Sequence, residues 1–481
     1  MLRTVSDQPT LWETVIPECL LGLPGDLAEI DALLDDPRFF EPFRAFFDPR
    51  IGRPSIPMET YLRMMFLKYR YRLGFEPLCD EVADSLAWRK FCRLPLGTRA
   101  PHPSTLMKIT KRCGTAAIDA LNETLLAKAH EDKLVKLNKV RADTTVVEAN
   151  VAYPTDSGLL AKGVAKLARL AGQVKAVGLA SRTSFRDRTR SVRRRAHDIN
   201  AWLRRRNDDA KTEVAALNLE MVGIAERAVT DARHVAVNAR RGLRAAKDQA
   251  TGKTLALLAE LERTAELVER VAAQTRQRVS GETPQGSTRI VSLHDPDARP
   301  IAKGRLGKPV EFGYKAQVVD NVDGIVLDHE LHRGAPADAP MLLPAIARIA
   351  ARFARVPRTV VADRGYGEAS VDAGLEDLGV KRVVIPRKGR PGIARQHLQR
   401  TRSFRKHVKW RTGSEARISC LKRDYGWRRT LIDGETGART WTSWGVLAHN
   451  ATKIAALTRE AERQRRSAPA KGQERPRTTV T

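Results

Sequence analysis

The stretch VVADRGYGEA, residues 360–369, decides how this chain folds. It opens with an apolar run from Val360 to Ala362, which is typical of a strand buried on both faces of a sheet. Asp363 follows that run directly, and Gly365 permits a sharp turn. Ligands of open α/β sheets bind beside the carboxyl ends of the strands. The stretch therefore predicts a buried strand that brings one carboxylate to a functional edge of a sheet.

A second carboxylate lies in the stretch VKLNKVRADTTVVEANVAYP, residues 135–154. β-Branched residues alternate around Asp143, which predicts another strand. Adjacent strands lie about 4.8 Å apart, so Asp143 and Asp363 can share a cation if their strands are near neighbours. Glu148, five residues further along, stays open as an alternative to Asp143.

A third carboxylate is expected from a helix beside that edge of the sheet. The predicted helix 408–425 places Arg411, Glu415 and Lys422 on one face, because they are spaced by four and seven residues. Mg²⁺ prefers carboxylate oxygens, and two such ions about 3.5–4 Å apart can activate a water or hydroxyl for phosphodiester cleavage. Glu368 and Glu435 are weaker candidates, because one is too close to Asp363 in sequence and the other lies in a Gly-rich turn.

The composition indicates a polyanionic partner. The 481 residues carry a formal net charge of +29, and 42% of them are hydrophobic, so most of the chain is expected to fold. Contacts between Lys or Arg and phosphates release counterions, so binding should weaken steeply with salt. No apolar run approaches the ~18 residues of a membrane span. We expect a cytoplasmic, nucleoid-associated protein without a membrane partner, although a ribosome-associated or merely basic protein would have a similar composition.

The pattern of elements predicts an α/β fold in several parts, with a mixed sheet flanked by helices. The predicted parts are an N-terminal segment (1–50), a helical, helix-turn-helix-like DNA-binding domain (51–138), a catalytic domain in two pieces (139–156 and 286–455), a helical, coiled-coil-like basic insertion (157–285) and a disordered basic tail (456–481).

Two basic helical faces are candidates for DNA contacts. The first carries Lys108, Lys111 and Arg112 early in a predicted helix that would fit a major groove. The second carries Arg193, Arg194 and Arg195 in the insertion, where few acids separate the arginines along the sequence. A helical bundle that touches no DNA and a solvated charged face would show the same patterns.

The three acidic motifs together resemble the DDE triad of bacterial insertion-sequence transposases. The acids are Asp143 in ADTTVVEAN, Asp363 in VVADRGYG and Glu415 in GSEARISCLKRDYG. The spacing Arg411-x3-Glu415-x6-Lys422 is similar to the Y-x2-R-x3-E-x6-K signature of those enzymes. Residues 51–115 are similar to their N-terminal domain, so the resemblance covers roughly residues 40–155 and 290–455.

The resemblance implies an RNase H-like catalytic domain that holds two Mg²⁺ or Mn²⁺ ions on Asp143, Asp363 and Glu415. It implies double-stranded DNA partners, namely terminal inverted repeats and target DNA, and a homodimer in the active complex. Arg411, Lys422 and Arg364 would contact phosphates. The alternative is a catalytically degenerate or non-mobile DNA-binding protein or nuclease of the same fold. Tyr366 or Tyr425 could in principle serve as the nucleophile of a tyrosine recombinase, but the sequence shows no pattern of the Arg and His residues that such an enzyme uses.

Two features depart from the family pattern. Val408 occupies the position of the signature tyrosine, and the two aspartates are 220 positions apart because the long helical block interrupts the catalytic domain after its first strand. The role of that block cannot be transferred from relatives that carry their insertion nearer the last helix.

Overall fold

A six-stranded mixed sheet combines one strand at residues 140–148 with five strands from the second half of the protein. The structure is a computed structural model that describes residues 1–3, 17, 22–205, 208–245, 252–303 and 307–467. The strands are β1 (Val140–Glu148), β2 (Arg299–Ala302), β3 (Val310–Asn321), β4 (Val326–Arg333), β5 (Thr359–Val361) and β6 (Arg382–Val384).

The order of the strands agrees with the predicted RNase H-like core. β1 lies between β3, to which it is antiparallel, and β5, to which it is parallel; β6 follows β5 in parallel, while β2 and β4 both pair with β3. The Asp323-Gly324 pair between two alternating apolar runs predicts a β-hairpin. β3 and β4 form that hairpin, and its turn contains Gly324 with φ of 84°, a conformation that glycine adopts without steric cost.

The register between β1 and β5 brings the two aspartates together. Arg141 pairs with Val361 across these parallel strands. Asp143 and Asp363 each lie two residues beyond that pair, and side chains alternate with a period of two, so both carboxylates reach the same face at the same end of the sheet. The strand predicted at 360–362 is thus confirmed as β5, and it lies beside β1, so that Asp363 at its end is close to Asp143.

The N-terminal helices pack against the last helix of the chain. They are α1 (Gly25–Leu34), α2 (Glu41–Arg44), α3 (Met58–Arg70), α4 (Phe75–Asp84), α5 (Leu86–Phe91) and α6 (Pro103–Glu131). Tyr69 of α3 stacks on Trp444 with ring centroids 6.1 Å apart and meets Trp441 at 5.0 Å. One continuous hydrophobic core joins these helices to the sheet. The segment EPLCDEVADSLAWRKFCRL after Gly74 predicts one helix, but the structure divides it at Ser85, whose hydroxyl caps α5.

The insertion forms a second hydrophobic core of its own. Its helices are α7 (Asp156–Ala176), α8 (Thr189–Trp202), α9 (Asp208–Ala245) and α10 (Gly252–Val279). Leu258, Leu261, Ala265, Val268 and Val271 recur every three or four residues, which predicts a buried helical stripe, and all five are buried. The helical character of the insertion is confirmed, and α7 and α8 pack beside the long pair α9 and α10.

The remaining helices frame the sheet and its functional edge. They are α11 (Ala339–Phe353), α12 (Ala369–Asp377), α13 (Ile393–Arg400), α14 (Arg402–Arg411), α15 (Gly413–Asp424) and α16 (Gly434–Ser467). No helix in the described ranges has the length and apolarity needed to cross a membrane.

Two predictions about these helices are wrong in part. The helix expected at 408–425 is broken at Thr412, because α14 is held by Phe404 against the parallel strands while α15 is held by Ser414 at Asp143. The tail expected to be disordered from residue 456 continues α16 to Ser467, since its Ala, Glu, Arg and Gln residues extend an existing helix at little cost. Residues 468–481 of that predicted tail lie outside the described residues.

Candidate active site

The three predicted acids line one cavity of about 730 Å³. Asp143 comes from β1, Asp363 directly follows β5, and Glu415 lies in the first turn of α15. Arg411 and Lys422 line the same cavity. The structure therefore brings residues that are far apart in the sequence to the lining of one cavity.

Asp143 is buried and fully engaged in hydrogen bonds. Its Oδ1 accepts from the backbone N–H of Thr144 at 2.8 Å. Its Oδ2 accepts from the hydroxyl of Ser414 at 2.7 Å and from Nη1 of Arg411 at 3.0 Å. Ser414 was missed by the sequence analysis, because a serine at the start of a helix usually caps that helix.

The Arg411 guanidinium lies between Asp143 and Glu415. While Nη1 binds Asp143, Nη2 is 3.9 Å from Oε1 of Glu415. The Glu415 side chain is 71% exposed, so it is free to rotate, whereas Asp143 is fixed. Arg411 ends α14 and Glu415 lies in the first turn of α15, so this contact spans the helix break at Thr412.

Asp363 is held beside two other carboxylates. Its Oδ1 accepts from the backbone N–H of Gly365 at 2.8 Å. Burial raises the pKa of Asp363, and the negative charges of Asp143 and then of Asp338 raise it further. A cation placed among these carboxylates would relieve that repulsion.

Gly365 is required by crowding at this edge. A Cβ at this position would lie 2.7 Å from Oδ2 of Asp338 and 3.0 Å from Oδ1 of Asp363. The glycine therefore lets two carboxylates approach the turn from either side. This close approach, rather than a left-handed backbone, accounts for the sharp turn after Asp363.

Asp338 is a fourth carboxylate that the sequence analysis did not find. Its Oδ1 accepts from the hydroxyl of Thr144 at 3.0 Å and lies 2.7 Å from Nζ of Lys315. Asp338 directly precedes α11, where an aspartate is read as a helix cap, but its side chain makes no capping hydrogen bond. It instead connects β1, β3 and the turn after Asp363.

The cavity fits a divalent metal through its two aspartates. In the part of the chain that the structure describes, no three His, Cys, Asp or Glu side chains are gathered into a metal-binding group. Asp143 and Asp363 nevertheless face each other with like charges, and carboxylate oxygens suit Mg²⁺ or Mn²⁺. Arg411 already places a positive charge between Asp143 and Glu415. The two aspartates therefore fit a metal ion, and the Arg411 guanidinium separates Glu415 from Asp143.

Basic side chains surround the acids. The cavity lining includes Arg72, Lys303, Lys422, Arg423 and Arg428. Arg72 comes from the turn after α3, so the N-terminal helices contribute to the rim. Acids and cations thus line one cavity, an arrangement suited to a phosphodiester that is bound together with metal ions.

The weaker acidic candidates are held by ion pairs. Glu148 also lines the cavity, but it pairs with Lys308 and lies 3.4 Å from Nη2 of Arg429. Glu368 pairs with Lys388 at 3.3 Å, and Glu435 pairs with Arg439 at 2.9 Å.

The tyrosines that a recombinase would need are buried. Tyr366 is fully buried and its hydroxyl accepts from Gln317 at 3.1 Å, and Tyr425 is 5% exposed. Burial raises the pKa of both phenols. Neither hydroxyl is positioned to attack DNA.

The other predicted DNA-binding residues lie outside the cavity. Lys108, Lys111 and Arg112 are exposed on α6, and Arg364 is exposed beside Asp363, with Nη2 donating to the carbonyl of Gly389 at 3.3 Å.

Acids on neighbouring helices neutralise part of the basic face of the insertion. Arg193 and Arg194 are exposed on α8, but Arg195 pairs with Glu220 of α9 at 3.0 Å, and Arg188 pairs with Asp231 at 2.6 Å. The expected repulsion among these arginines is therefore reduced by partners that the local sequence did not reveal.

Comparison with known proteins supports a mobile-element origin. Residues 20–112 match the family described as "Transposase domain (DUF772)", and residues 282–451 match "Transposase DDE domain". Asp363 and Glu415 lie inside the second match, whereas Asp143 and most of the insertion lie between the two.

The chain is also similar to a protein whose function is not assigned. A protein of Rhizobium meliloti described as "Uncharacterized protein ORF8 in nfe locus" is 30% identical over 164 residues, which are 33% of this chain and 76% of that protein. No solved structure matches the chain. With its two transposase domains in order and an RNase H-like sheet, the chain belongs to the family of insertion-sequence DDE transposases.

Proposed function

We propose that this transposase cuts DNA at the ends of an insertion sequence and joins the resulting 3′-OH ends to target DNA. The observation that supports this reaction is the convergence of Asp143, Asp363 and Glu415 on one cavity, with Arg411 between two of them. Three acids from separate elements, at the edge of an RNase H-like sheet, are the donor set for metal-assisted phosphodiester chemistry.

Asp143 and Asp363 would hold the metal, and Glu415 would complete the site by rotating its exposed side chain. Two bound Mg²⁺ or Mn²⁺ ions would lower the pKa of an attacking water or 3′-hydroxyl and stabilise the leaving oxygen. The hydrogen bond from Ser414 orients the Asp143 carboxylate, and the backbone N–H of Gly365 orients that of Asp363.

Arg411 would change partners during the reaction. In the structure it neutralises Asp143 and Glu415. If those acids held cations, the guanidinium would be free for a phosphate oxygen, with which it could form a bidentate contact. Lys422, two turns beyond Glu415 on α15, lines the same cavity and would hold a second phosphate.

Charge-neutral variants test this assignment. Asp143→Asn, Asp363→Asn and Glu415→Gln should each abolish Mg²⁺-dependent nicking of a plasmid that carries the DNA flanking this gene, while metal-free binding to that DNA remains. Glu435→Gln is the matched control, since Glu435 only pairs with Arg439 on α16. Full nicking by all three variants would overturn the assignment. Cleavage without joining of cut ends would identify a nuclease of the same fold.

A further inference from the structure

A long segment beside the active site carries cations without acids. Residues 386–413 contain ten Lys or Arg residues and no Asp or Glu. The segment contains α13 and α14 and leads directly into Glu415. About a third of the net charge of the chain is therefore concentrated next to the cavity.

One face of α14 packs and the opposite face is charged. Phe404 is buried against Val361 and Val384, and Val408 packs on the same cluster. The exposed face carries Arg402, Arg405, Lys406 and Lys409 at positions i, i+3, i+4 and i+7, which form a single row along the helix. We refer to these four residues as the α14 stripe.

The α14 stripe lacks the ion pairs that neutralise its neighbours. Arg387 and Arg395, earlier in the segment, pair with Asp372 at 3.2 and 3.1 Å. Within the described ranges, no acid lies within ion-pair distance of the four stripe residues. Like charges at i and i+4 destabilise a helix by a few tenths of a kcal/mol per pair. The stripe therefore costs stability, and nothing in the described fold compensates for it.

Other cations increase the local repulsion. Burial lowers the pKa of His407, and the charges of Lys139, Arg382 and Lys406 lower it further. Lys139 itself lies 4.0 Å from the centre of the Trp410 ring. The positive field thus extends from the stripe to the edge of the sheet, where an anion would be stabilised by several residues at once.

The axis of α14 leads toward the cavity, and the stripe lies on the helix face opposite Arg411. Arg411 ends α14 and contacts Asp143, and Arg364 bonds to Gly389 at the start of the segment. From Arg402 to Lys409 the helix rises about 10 Å. At about 3.4 Å per base step on one strand, that length corresponds to about three successive phosphates.

We propose that the α14 stripe binds the phosphate backbone of target DNA and leads it into the cavity. This inference rests on the proposed transposase function. The stripe consists of Arg and Lys at an exposed helix surface, with Ser403 between them, and such side chains contact phosphates without reading bases. Such phosphate contacts suit a target that is bound without reading its bases. The ends of the element must instead be recognised by sequence, and α6 is the candidate for that recognition.

Binding in the absence of metal tests the stripe directly. Arg402→Gln/Arg405→Gln/Lys406→Gln should reduce the slope of log affinity against log salt by about three for a random-sequence duplex, measured by fluorescence anisotropy. Arg233→Gln/Arg240→Gln/Arg276→Gln is the matched control, because it removes the same charge from arginines paired with glutamates of the insertion. An unchanged slope, or an equal change in the control, would overturn the proposal. Thermal melting of both variants checks that each is folded.

A strand-transfer assay with pre-cut ends separates target from end binding. The stripe variant should join pre-cut ends to a plasmid about tenfold less efficiently, while its cleavage of uncut ends stays near the original level. A loss of cleavage equal to the loss of joining would assign the stripe to the element ends and overturn the target assignment. If Asp143→Asn still cleaves, the proposed function fails, but the metal-free binding result for the stripe stands independently.

Discussion

Arg411 donates to Asp143 at 3.0 Å from the last turn of α14, across 268 positions of sequence. A guanidinium stays charged at all physiological pH values, so its contact with Asp143 competes with any cation that binds the same carboxylate. The pair therefore couples the acids that we propose hold the metal to the charge of the segment that precedes Glu415.

Replacing Arg411 should have opposite effects on metal binding and on cleavage. Arg411→Gln removes the competing charge, so the rise in melting temperature on adding Mn²⁺ should be larger than in the original protein. Cleavage should fall by about 10²–10³-fold, because a positioned donor for a phosphate oxygen is lost. Arg417→Gln serves as a comparison, since Arg417 lies at Asp320 and outside the cavity. A smaller Mn²⁺ shift in Arg411→Gln would contradict this account.

Asp363 and Asp143 should respond oppositely to loss of charge. The pKa of Asp363 is raised by burial and by neighbouring carboxylates, so its ionised form destabilises the fold above that pKa, and the penalty disappears as the pH falls through it. Asp363→Asn should therefore raise the free energy of unfolding at pH 7 without metal, with the gain vanishing in acid. Asp143→Asn should lower it by about 1–2 kcal/mol, because the bond to Arg411 is weakened. Urea denaturation across pH measures both.

Asp338 should contribute to the site through Lys315 and Thr144. Asp338→Ala leaves a mostly buried ammonium without its partner, so we expect a loss of about 1–3 kcal/mol of stability. Adding Lys315→Met should restore much of that stability but not the hydrogen bond to Thr144. Cleavage in the double variant should therefore remain reduced. Full recovery of cleavage would show that Asp338 acts only on stability.

Gly365→Ala should damage the active site more than the fold. The new methyl would meet both Asp338 and Asp363, so the two carboxylates must separate. We expect cleavage to fall at least about tenfold with a small change in melting temperature. Gly172→Ala on α7 is the control, because nothing lies within 4 Å of its Cβ position. That substitution should raise stability by about 0.5–1 kcal/mol and leave cleavage unchanged.

Lys68 gives a pH dependence unrelated to the active site. Its ammonium is buried among Tyr69, Phe75 and Trp441, and burial lowers the pKa of Lys68 to about 8. The charged form therefore destabilises the fold below pH 8, and that penalty is relieved as the pH rises from about 8 toward the unfolded value. Lys68→Met should gain about 2–3 kcal/mol at pH 7, with a smaller gain at pH 10. An equal gain at both pH values would contradict this prediction.

Short-range patterns predicted much of the fold. The apolar run before Asp363, the alternation around Asp143 and the Asp323-Gly324 turn each correspond to a strand or hairpin in the structure. These features depend on neighbours in the sequence, so they can be read from it. The buried stripe of α10 was predictable for the same reason.

Features that depend on tertiary contacts were not predictable from the sequence. Asp338 has the sequence context of a helix cap. Its side chain instead binds Thr144 of β1 and Lys315 of β3, and neither contact can be inferred from neighbouring residues. The break at Thr412 keeps the four-residue spacing between Arg411 and Glu415, so periodicity alone does not reveal it. Arg195 finds Glu220 on another helix. In each case the deciding partner is remote in the chain.

The packing of α3 and α6 on α16 has a consequence for synthesis of the protein. The helices made first bury Tyr61 and Tyr69 against Trp441 and Trp444, which emerge from the ribosome last. A nascent or prematurely terminated chain that stops before residue 434 lacks the surface that its N-terminal helices need. The N-terminal helices, through which we propose that the protein contacts DNA, thus complete their core only after translation has passed Trp444.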